Sequence, residues 1–238
     1  MPRRVAALYD VHGNLPALEA VLAELDVDVV VVGGDVAAGP WPDETLERLR
    51  ALGDGVRWIR GNADRELARP SESTEESGPP PHLISWMRKR LSHDQLQFLG
   101  DLPLTETLDV EGIGRVLFCH ATPRSDDELL TRISDEARWR AALEAVDADI
   151  VVCGHTHVQF DRRFGDVRLV NAGSVGMPYE THPGAYWLAI GPDVRHRRTD
   201  YDTEETARDI AAVWPDEWPS ASPDEATAFF ERASHERG

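Results

Sequence analysis

The sequence contains few cysteines and no long hydrophobic run. Its two cysteines, Cys119 and Cys153, are too few for a disulfide framework, and each lies in an apolar stretch where a buried side chain is expected. No run approaches the ~18 apolar residues of a membrane-spanning helix. The apolar stretch at residues 5–9 is too short for the core of a signal peptide. We therefore expect a soluble cytoplasmic protein without a membrane partner.

Basic residues are scarce relative to acidic ones. The 238 residues include 25 Lys and Arg against 43 Asp and Glu, a net charge of −18, and Lys89 is the only lysine. An acidic surface repels anionic membranes and the phosphate backbone of nucleic acids. Long nucleic acids are therefore not expected as partners. The hydrophobic content of 41%, with seven tryptophans, excludes a disordered chain.

Strand and helix patterns alternate in the first part of the chain. Apolar, β-branched runs predict strands, and apolar residues at helical spacing predict the helices between them. The predicted strands are residues 5–9, 27–32 and 56–60, and the predicted helices are residues 15–25 and 45–52. This order implies right-handed crossovers and a parallel sheet. Two further strands flank a helix near residues 134–146, and hairpin patterns follow between residues 158 and 199. The pattern favours an α/β protein with a mixed sheet or two packed sheets.

We expect one domain over residues 1–202 and an acidic helical tail over residues 203–238. The segment 65–81, rich in Ser, Glu and Pro, is interpreted as a loop, and residues 82–99 as one helix. Together they form an excursion over residues 65–100. In the tail, Ser222 followed by a proline and acidic residues predicts a helix start.

Side chains that can bind metals follow five separate predicted strands. They are Asp10 and His12, Asp35, Asn62, His120, and His155 and His157. One such residue is more often a turn, a helix cap or a structural histidine. Turns and caps do not readily explain why such residues follow all five strands. In open α/β sheets, ligands bind at the carboxyl ends of the strands, where these residues lie.

Seven ligands exceed one tetrahedral zinc site. Two carboxylates, four imidazoles and one amide oxygen suit two ions of Mn, Fe, Co, Ni or Zn that share a bridging carboxylate. The charge of two divalent ions exceeds that of two carboxylates, so the net charge of the site is positive. The sequence thus predicts a centre that binds a small anion, with phosphate as the obvious one.

These blocks, in this order, resemble the calcineurin-like metallophosphoesterase superfamily, and most closely its small bacterial and archaeal phosphodiesterases. The blocks are Asp10-Val11-His12-Gly13-Asn14, Gly33-Gly34-Asp35, Gly61-Asn62-Ala63-Asp64, His120 and Gly154-His155-Thr156-His157. The resemblance covers residues 4–199. It implies a four-layer α/β/β/α sandwich with two mixed sheets.

The resemblance also implies roles for the site residues. It implies that Asp10, His12 and His157 bind a first ion, that Asn62, His120 and His155 bind a second, and that Asp35 bridges both. A metal-bridging hydroxide then attacks phosphorus in line, so no Ser or Cys nucleophile is needed. Among these residues and their neighbours, we expect Asp35, Asn62, His120 and Asp64 to serve catalysis.

One position departs from the family pattern. Ala63 stands where many members have a histidine that protonates the leaving oxygen, while the adjacent Asp64 is retained. Loss of a general acid typically costs about 10²–10⁴-fold in rate, and a poor leaving group needs that acid most. The missing histidine and the resemblance to the small phosphodiesterases together favour phosphodiesters over phosphomonoesters. A Ser/Thr protein phosphatase and a non-catalytic protein-binding scaffold of the same fold are the alternatives.

Three further residues are candidates for contact with substrate. Asn14 could orient a ligand or cap the following helix. Arg124 could bind a phosphate, although a solvated arginine paired with Asp126 or Asp127 is the simpler interpretation. His182 could replace the missing acid, but a surface histidine is the simpler interpretation. The segment 171–174 follows a strand, so its backbone could approach the site, or it could form a plain turn.

Overall fold

The computed structural model describes residues 1–70, 80–215, 225, 227–228 and 231–232. Within residues 1–70 and 80–215, ten strands and seven α-helices follow in chain order. They are β1 (Val5–Leu8), α1 (Leu15–Glu24), β2 (Val29–Val32), α2 (Pro42–Arg50), β3 (Val56–Trp58), α3 (Asn62–Ala68), α4 (Pro81–Arg90), α5 (His93–Asp101), β4 (Thr105–Val110), β5 (Gly114–Cys119), α6 (Glu136–Leu143), β6 (Ile150–Cys153), β7 (Phe160–Phe164), β8 (Val167–Asn171), β9 (Ala185–Ile190), β10 (Val194–Thr199) and α7 (Thr203–Val213). A short 3-10 turn, Gly53–Gly55, precedes β3.

The strands form two five-stranded mixed sheets. The first has the order β10-β9-β1-β2-β3, and the second has the order β4-β5-β6-β8-β7. In the first sheet β1, β2 and β3 are parallel, and in the second β5, β6 and β8 are parallel. The outer strands add in antiparallel fashion. The predicted pair of mixed sheets is therefore confirmed.

Alternate side chains of each central strand face different layers. In β1 and the residue after it, Val5, Ala7 and Tyr9 pack between the two sheets, whereas Ala6 and Leu8 pack under the helices of the first sheet. On the far side of the second sheet, Trp139 of α6 packs against that sheet's outer face. The five residues from Val5 to Tyr9 are fully buried, which explains why β1 is an uninterrupted apolar run. The result is the expected α/β/β/α layering.

The region between residues 62 and 110 differs from the prediction. In the predicted loop over residues 65–81, residues 65–68 continue α3 and Pro81 begins α4, while residues 71–79 lie outside the described residues. The single helix predicted over residues 82–99 is wrong, because Ser92 starts a new helix. Its hydroxyl accepts the Gln95 N–H (3.2 Å), and the Gln95 side chain accepts the Ser92 N–H (2.7 Å). The strand β4 was not predicted, since acidic residues interrupt its apolar pattern.

The described part of the tail packs onto the domain. Ile210 of α7 and the following Trp214 are buried in the cluster beneath the first sheet's helices. The division of the chain at residue 202 stays a prediction, and the predicted helix start at Ser222 lies outside the described residues. Within the described residues, no helix combines the length and apolarity needed to cross a bilayer.

Candidate metal centre

The predicted ligands come together where the strands of both sheets end. Asp10 and His12 follow β1, Asp35 follows β2, Asn62 opens α3, His120 follows β5, and His155 and His157 follow β6. Two groups of buried side chains bring one ligand atom each to within 4.8 Å of one another: Asp10, His12 and His157, and Asp10, Asp35 and His120. The first group matches the three residues expected to bind the first ion.

Asp35 belongs to the second group and also lies close to His12 of the first, whereas Asp10 belongs to both groups. The Oδ2 atom of Asp35 is 3.7 Å from His12 Nε2 and 3.5 Å from His120 Nε2. Asp10 Oδ1 is nearest to His157, at 3.3 Å from Nε2. One carboxylate oxygen of Asp35 thus faces histidines of both groups, which is the placement that a bridging ligand requires.

Asn62 and His155 complete the cluster. The Oδ1 atom of Asn62 is 3.1 Å from His120 Nε2. The His155 ring lies edge-on to the His120 ring, with 5.2 Å between centroids. The backbone N–H of His155 also donates to Asp10 Oδ2 at 2.9 Å. All seven predicted ligands therefore share one cluster.

The backbone is strained at these residues. Within the described part of the chain, the non-glycine residues with positive φ are Asp10, His12, Asp35, His155 and His157, with φ between 46° and 66°. All five are predicted ligands. Such conformations cost on the order of 1–3 kcal/mol each, and they persist where the surrounding structure fixes them. Here the left-handed backbone conformation occurs just after the strands, at the residues whose side chains form the centre.

A glycine precedes three of the ligand residues. A Cβ atom at any of these glycines would clash with the side chain of another ligand residue. A Cβ on Gly61 would lie 2.1 Å from Asp35 Oδ1, and a Cβ on Gly154 would lie 2.5 Å from Asp10 Oδ2. A Cβ on Gly34 would lie 2.7 Å from His120 Nδ1. These three glycines are therefore explained by close packing around the ligands.

Three histidines are oriented by backbone carbonyls. The Nδ1 atoms of His12, His120 and His157 donate to the carbonyls of Ala38 (3.1 Å), Gly33 (2.8 Å) and Met177 (2.7 Å). Because a carbonyl only accepts, each Nδ1 carries a proton, and Nε2 is the ring nitrogen that points to the centre and can bind a metal. His12 Nε2 and His157 Nε2 are only 3.2 Å apart.

The electrostatics of the cluster favour a cation. Asp10 Oδ1 is buried and accepts no hydrogen bond from the residues that the structure describes. Burial opposes charge on His120, but the carboxylates of Asp35 and Asp10 outweigh it and raise the pKa of His120 to about 10. Buried carboxylate oxygens and imidazole lone pairs that converge on one point fit divalent metal ions. The residues present therefore fit the predicted metals.

Asp64 contacts the loops rather than the centre itself. Its carboxylate accepts the backbone N–H groups of Asp35 (2.8 Å), Val36 (3.0 Å) and Gly61 (3.0 Å). Burial and the charge of Asp35 raise the pKa of Asp64 to about 7. Both oxygens are engaged, so this side chain ties the loop after β2 to the loop after β3.

The three candidate substrate residues lie in different settings. Asn14 caps α1, since its Oδ1 accepts the Ala17 N–H (3.2 Å) and its Nδ2 donates to the Gly176 carbonyl (2.9 Å). Arg124 pairs with Glu128, so the expectation of Asp126 or Asp127 as its partner is wrong. Asp126 is bonded to Arg60 and Arg65, and Asp127 to Arg65, whereas Glu128 lies four residues along the chain from Arg124.

His182 is exposed in the loop before β9. Its carbonyl accepts the Tyr186 hydroxyl at 2.8 Å. This is the surface placement that the simpler interpretation of the sequence favoured.

Two residues near the centre were missed by sequence reasoning. The Ser174 hydroxyl donates to the Asp10 carbonyl at 2.7 Å, and the Tyr179 ring stacks on the His157 ring at 4.7 Å between centroids. Burial and the charge of Asp10 raise the pKa of Tyr179 to about 12. The sequence allows segment 171–174 to approach the site but assigns no role to Ser174. Nothing in the sequence indicates Tyr179.

Comparison with known proteins gives one consistent result. The family model described as the calcineurin-like phosphoesterase superfamily domain matches residues 4–190. A metallophosphoesterase structure from Sphaerobacter thermophilus has a TM-score of 0.73 and 25% identity, over 96% of this chain and 99% of that one. The phosphodiesterase YfcE of Escherichia coli K12 is 24% identical over 192 residues, which are 75% of this chain and 83% of that protein.

A second kind of relative matches over a shorter stretch. A symmetrical bis(5'-nucleosyl)-tetraphosphatase of Klebsiella pneumoniae is 32% identical over 126 residues. The match spans 50% of this chain and 44% of that enzyme.

Proposed function

The chain belongs to the calcineurin-like phosphoesterase superfamily, and on this premise we propose that it hydrolyses small phosphodiesters with two divalent metal ions. The observation that carries the proposal is the position of Asp35. Its Oδ2 faces His12 at 3.7 Å and His120 at 3.5 Å, while the buried Asp10 Oδ1 has no hydrogen-bond donor among the described residues. A carboxylate oxygen that faces two histidines, beside a buried carboxylate oxygen without a hydrogen-bond donor, is suited to a pair of cations.

The proposed ligands divide into two sets around Asp35. Asp10, His12 and His157 hold the first ion, and Asn62, His120 and His155 hold the second. When bound, divalent ions supply a hydroxide nucleophile at neutral pH and stabilise negative charge on the phosphoryl group. Mn, Fe, Co, Ni and Zn all suit these nitrogen and oxygen ligands.

The chain's own residues fix the geometry that this chemistry needs. Asp35 keeps its bridging orientation because its Oδ1 accepts the Ala63 N–H at 2.8 Å. Carbonyls behind His12, His120 and His157 direct each Nε2 inward. Asp64 acts as a positioning residue, since it holds the backbone of Asp35 against that of Gly61.

Ala63 supports a substrate with a good leaving group. It has no group that can donate a proton to a leaving oxygen, and only 6% of it is exposed. Esters with good leaving groups need that proton least. The named activities of the relatives, a phosphodiesterase and a dinucleoside tetraphosphatase, agree with a small anionic diester or anhydride. A chain of net charge −18 disfavours long nucleic acids.

A paired hydrolysis assay tests the proposal. Chelator-treated protein is supplied with Mn, Ni, Zn or Mg in turn, and its rates on bis(p-nitrophenyl) phosphate and p-nitrophenyl phosphate are compared. We expect metal-restored cleavage of the diester well above that of the monoester. A monoester preference would favour the phosphatase alternative. Two bound ions without turnover on either substrate would favour the binding scaffold.

A further inference from the structure

Two proposed ligands of the second ion reach the centre from different sheets. Asn62 stands between β3 of the first sheet and α3, and His120 follows β5 of the second sheet. Their side chains meet at 3.1 Å between Oδ1 and Nε2. Their spacing therefore depends on whatever holds these two loops together.

A buried carboxylate joins the two loops. The side chain of Asp126 is 8% exposed, and its Oδ2 accepts from Arg60 Nε at 3.0 Å and from Arg65 Nε at 3.1 Å. Arg60 precedes Asn62 by two residues, and Arg65 follows it by three. One carboxylate from the His120 loop thus contacts two guanidinium groups that flank Asn62. Charge-assisted hydrogen bonds of this kind are among the strongest in proteins.

The segment between His120 and Asp126 is tightly bonded within itself. Thr122 and Ser125 exchange backbone hydrogen bonds of 3.0 Å and 3.2 Å. The Ser125 hydroxyl also accepts the N–H of Asp127 at 3.2 Å. Because this turn is short and internally hydrogen-bonded, a shift of Asp126 should displace His120 as well.

We infer that Asp126 is a positioning residue for the second metal ion, because its carboxylate, held by Arg60 and Arg65, fixes Asn62 relative to His120. The inference rests on the proposed function. It extends that function to a residue that binds neither metal nor substrate. Outer partners of metal ligands typically contribute about 10–100-fold in metal affinity.

The test is Mn²⁺ titration of chelator-treated protein by calorimetry, for wild type, Asp126→Asn and Arg65→Gln. We expect the second binding step to weaken about 10–100-fold in both variants, with the first step unchanged. Electron paramagnetic resonance of the loaded protein provides a second readout. At equal Mn²⁺, the variants should show isolated ions where wild type shows a spin-coupled pair.

The double variant sharpens the result. If Arg65 acts through its contact with Asp126, Asp126→Asn with Arg65→Gln should weaken the second step no more than Asp126→Asn alone. The matched control is Glu19→Gln, which breaks an ion pair of 2.7 Å with Arg48 between α1 and α2. It should leave both steps unchanged.

Other outcomes overturn the inference. Equal weakening of both steps would make Asp126 a general stabiliser of the fold, and no weakening would make the contact irrelevant to the metals. A wild-type protein that binds only one ion would contradict the proposed function itself, whatever the variants do. If Asp126→Asn fails to fold by circular dichroism, Arg65→Gln decides, because its side chain is 33% exposed and its loss is better tolerated.

Discussion

The two halves of the metal centre are held in different ways. On the first-ion side, backbone carbonyls of Ala38 and Met177 orient His12 and His157, and the Ser174 hydroxyl fixes the Asp10 carbonyl. On the second-ion side, the Gly33 carbonyl orients His120, but the position of Asn62 depends on side chains, through Asp126 and its two arginines. Backbone contacts survive most substitutions, whereas a side-chain link is removed by one. The second half is therefore the easier one to alter without disturbing the first.

The largest expected effect comes from the residue that both halves share. Asp35→Asn removes the charge between the two ions and should abolish turnover while loosening both. Activity assays and metal analysis of the purified variant measure this. Wild-type turnover in Asp35→Asn would contradict the two-metal assignment, because no bridging carboxylate would then be needed.

Gly154→Ala should damage the first half. The new Cβ would lie 2.5 Å from Asp10 Oδ2, so Asp10 must move. We expect a loss of about 1–3 kcal/mol in the free energy of unfolding, together with weaker binding of the first ion. Denaturant melts and metal titration measure the two effects.

Gly55→Ala is the matched control for that change. A Cβ there meets its nearest atom at 3.8 Å, which is ordinary contact. It should leave stability and metal binding nearly unchanged. An equal loss of stability in both glycine variants would contradict the steric explanation for Gly154.

Ala63→His should add function to the second half only. An imidazole at this position can protonate a leaving oxygen, so hydrolysis of a monoester with a poor leaving group is expected to rise by about 10²-fold. Ala63→Gln adds bulk without a suitable acid and should give no such gain. Steady-state rates on leaving groups of increasing pKa measure the difference, and an equal gain in both variants would argue against acid catalysis.

The smallest effect is expected for Asn14→Ala, at the edge of the first half. Loss of the α1 cap should cost about 1 kcal/mol in the free energy of unfolding. The KM for diester should stay unchanged, because both side-chain groups of Asn14 are already bonded to Ala17 and Gly176. A raised KM at unchanged stability would restore Asn14 as a substrate contact.

The sequence predicted the ligands better than it predicted their supports. Asp10, Asp35 and His120 could be found because each follows a strongly apolar strand, a local pattern that needs no tertiary information. Ser174 could not be tied to Asp10 in this way, since 164 residues separate them and only the folded chain brings them together. Tyr179 lacked even a local signal.

Local competition explains the remaining errors. The apolar spacing of residues 82–99 is helical throughout, but the cap at Ser92 divides it into two helices. Arg124 had three acidic residues within four positions, and backbone conformation decided which one it reached. Such choices between near-equal local partners are settled by packing that a single sequence does not display.

The five residues with positive φ have a consequence for the lifetime of the protein. Without metal, the chain keeps the conformational cost of Asp10, His12, Asp35, His155 and His157 but lacks the interaction that offsets it. A ligand that binds only the folded state protects that state by mass action. Metal-starved protein should therefore open more often and be cleaved faster by proteases, so that the supply of metal controls its abundance as well as its activity.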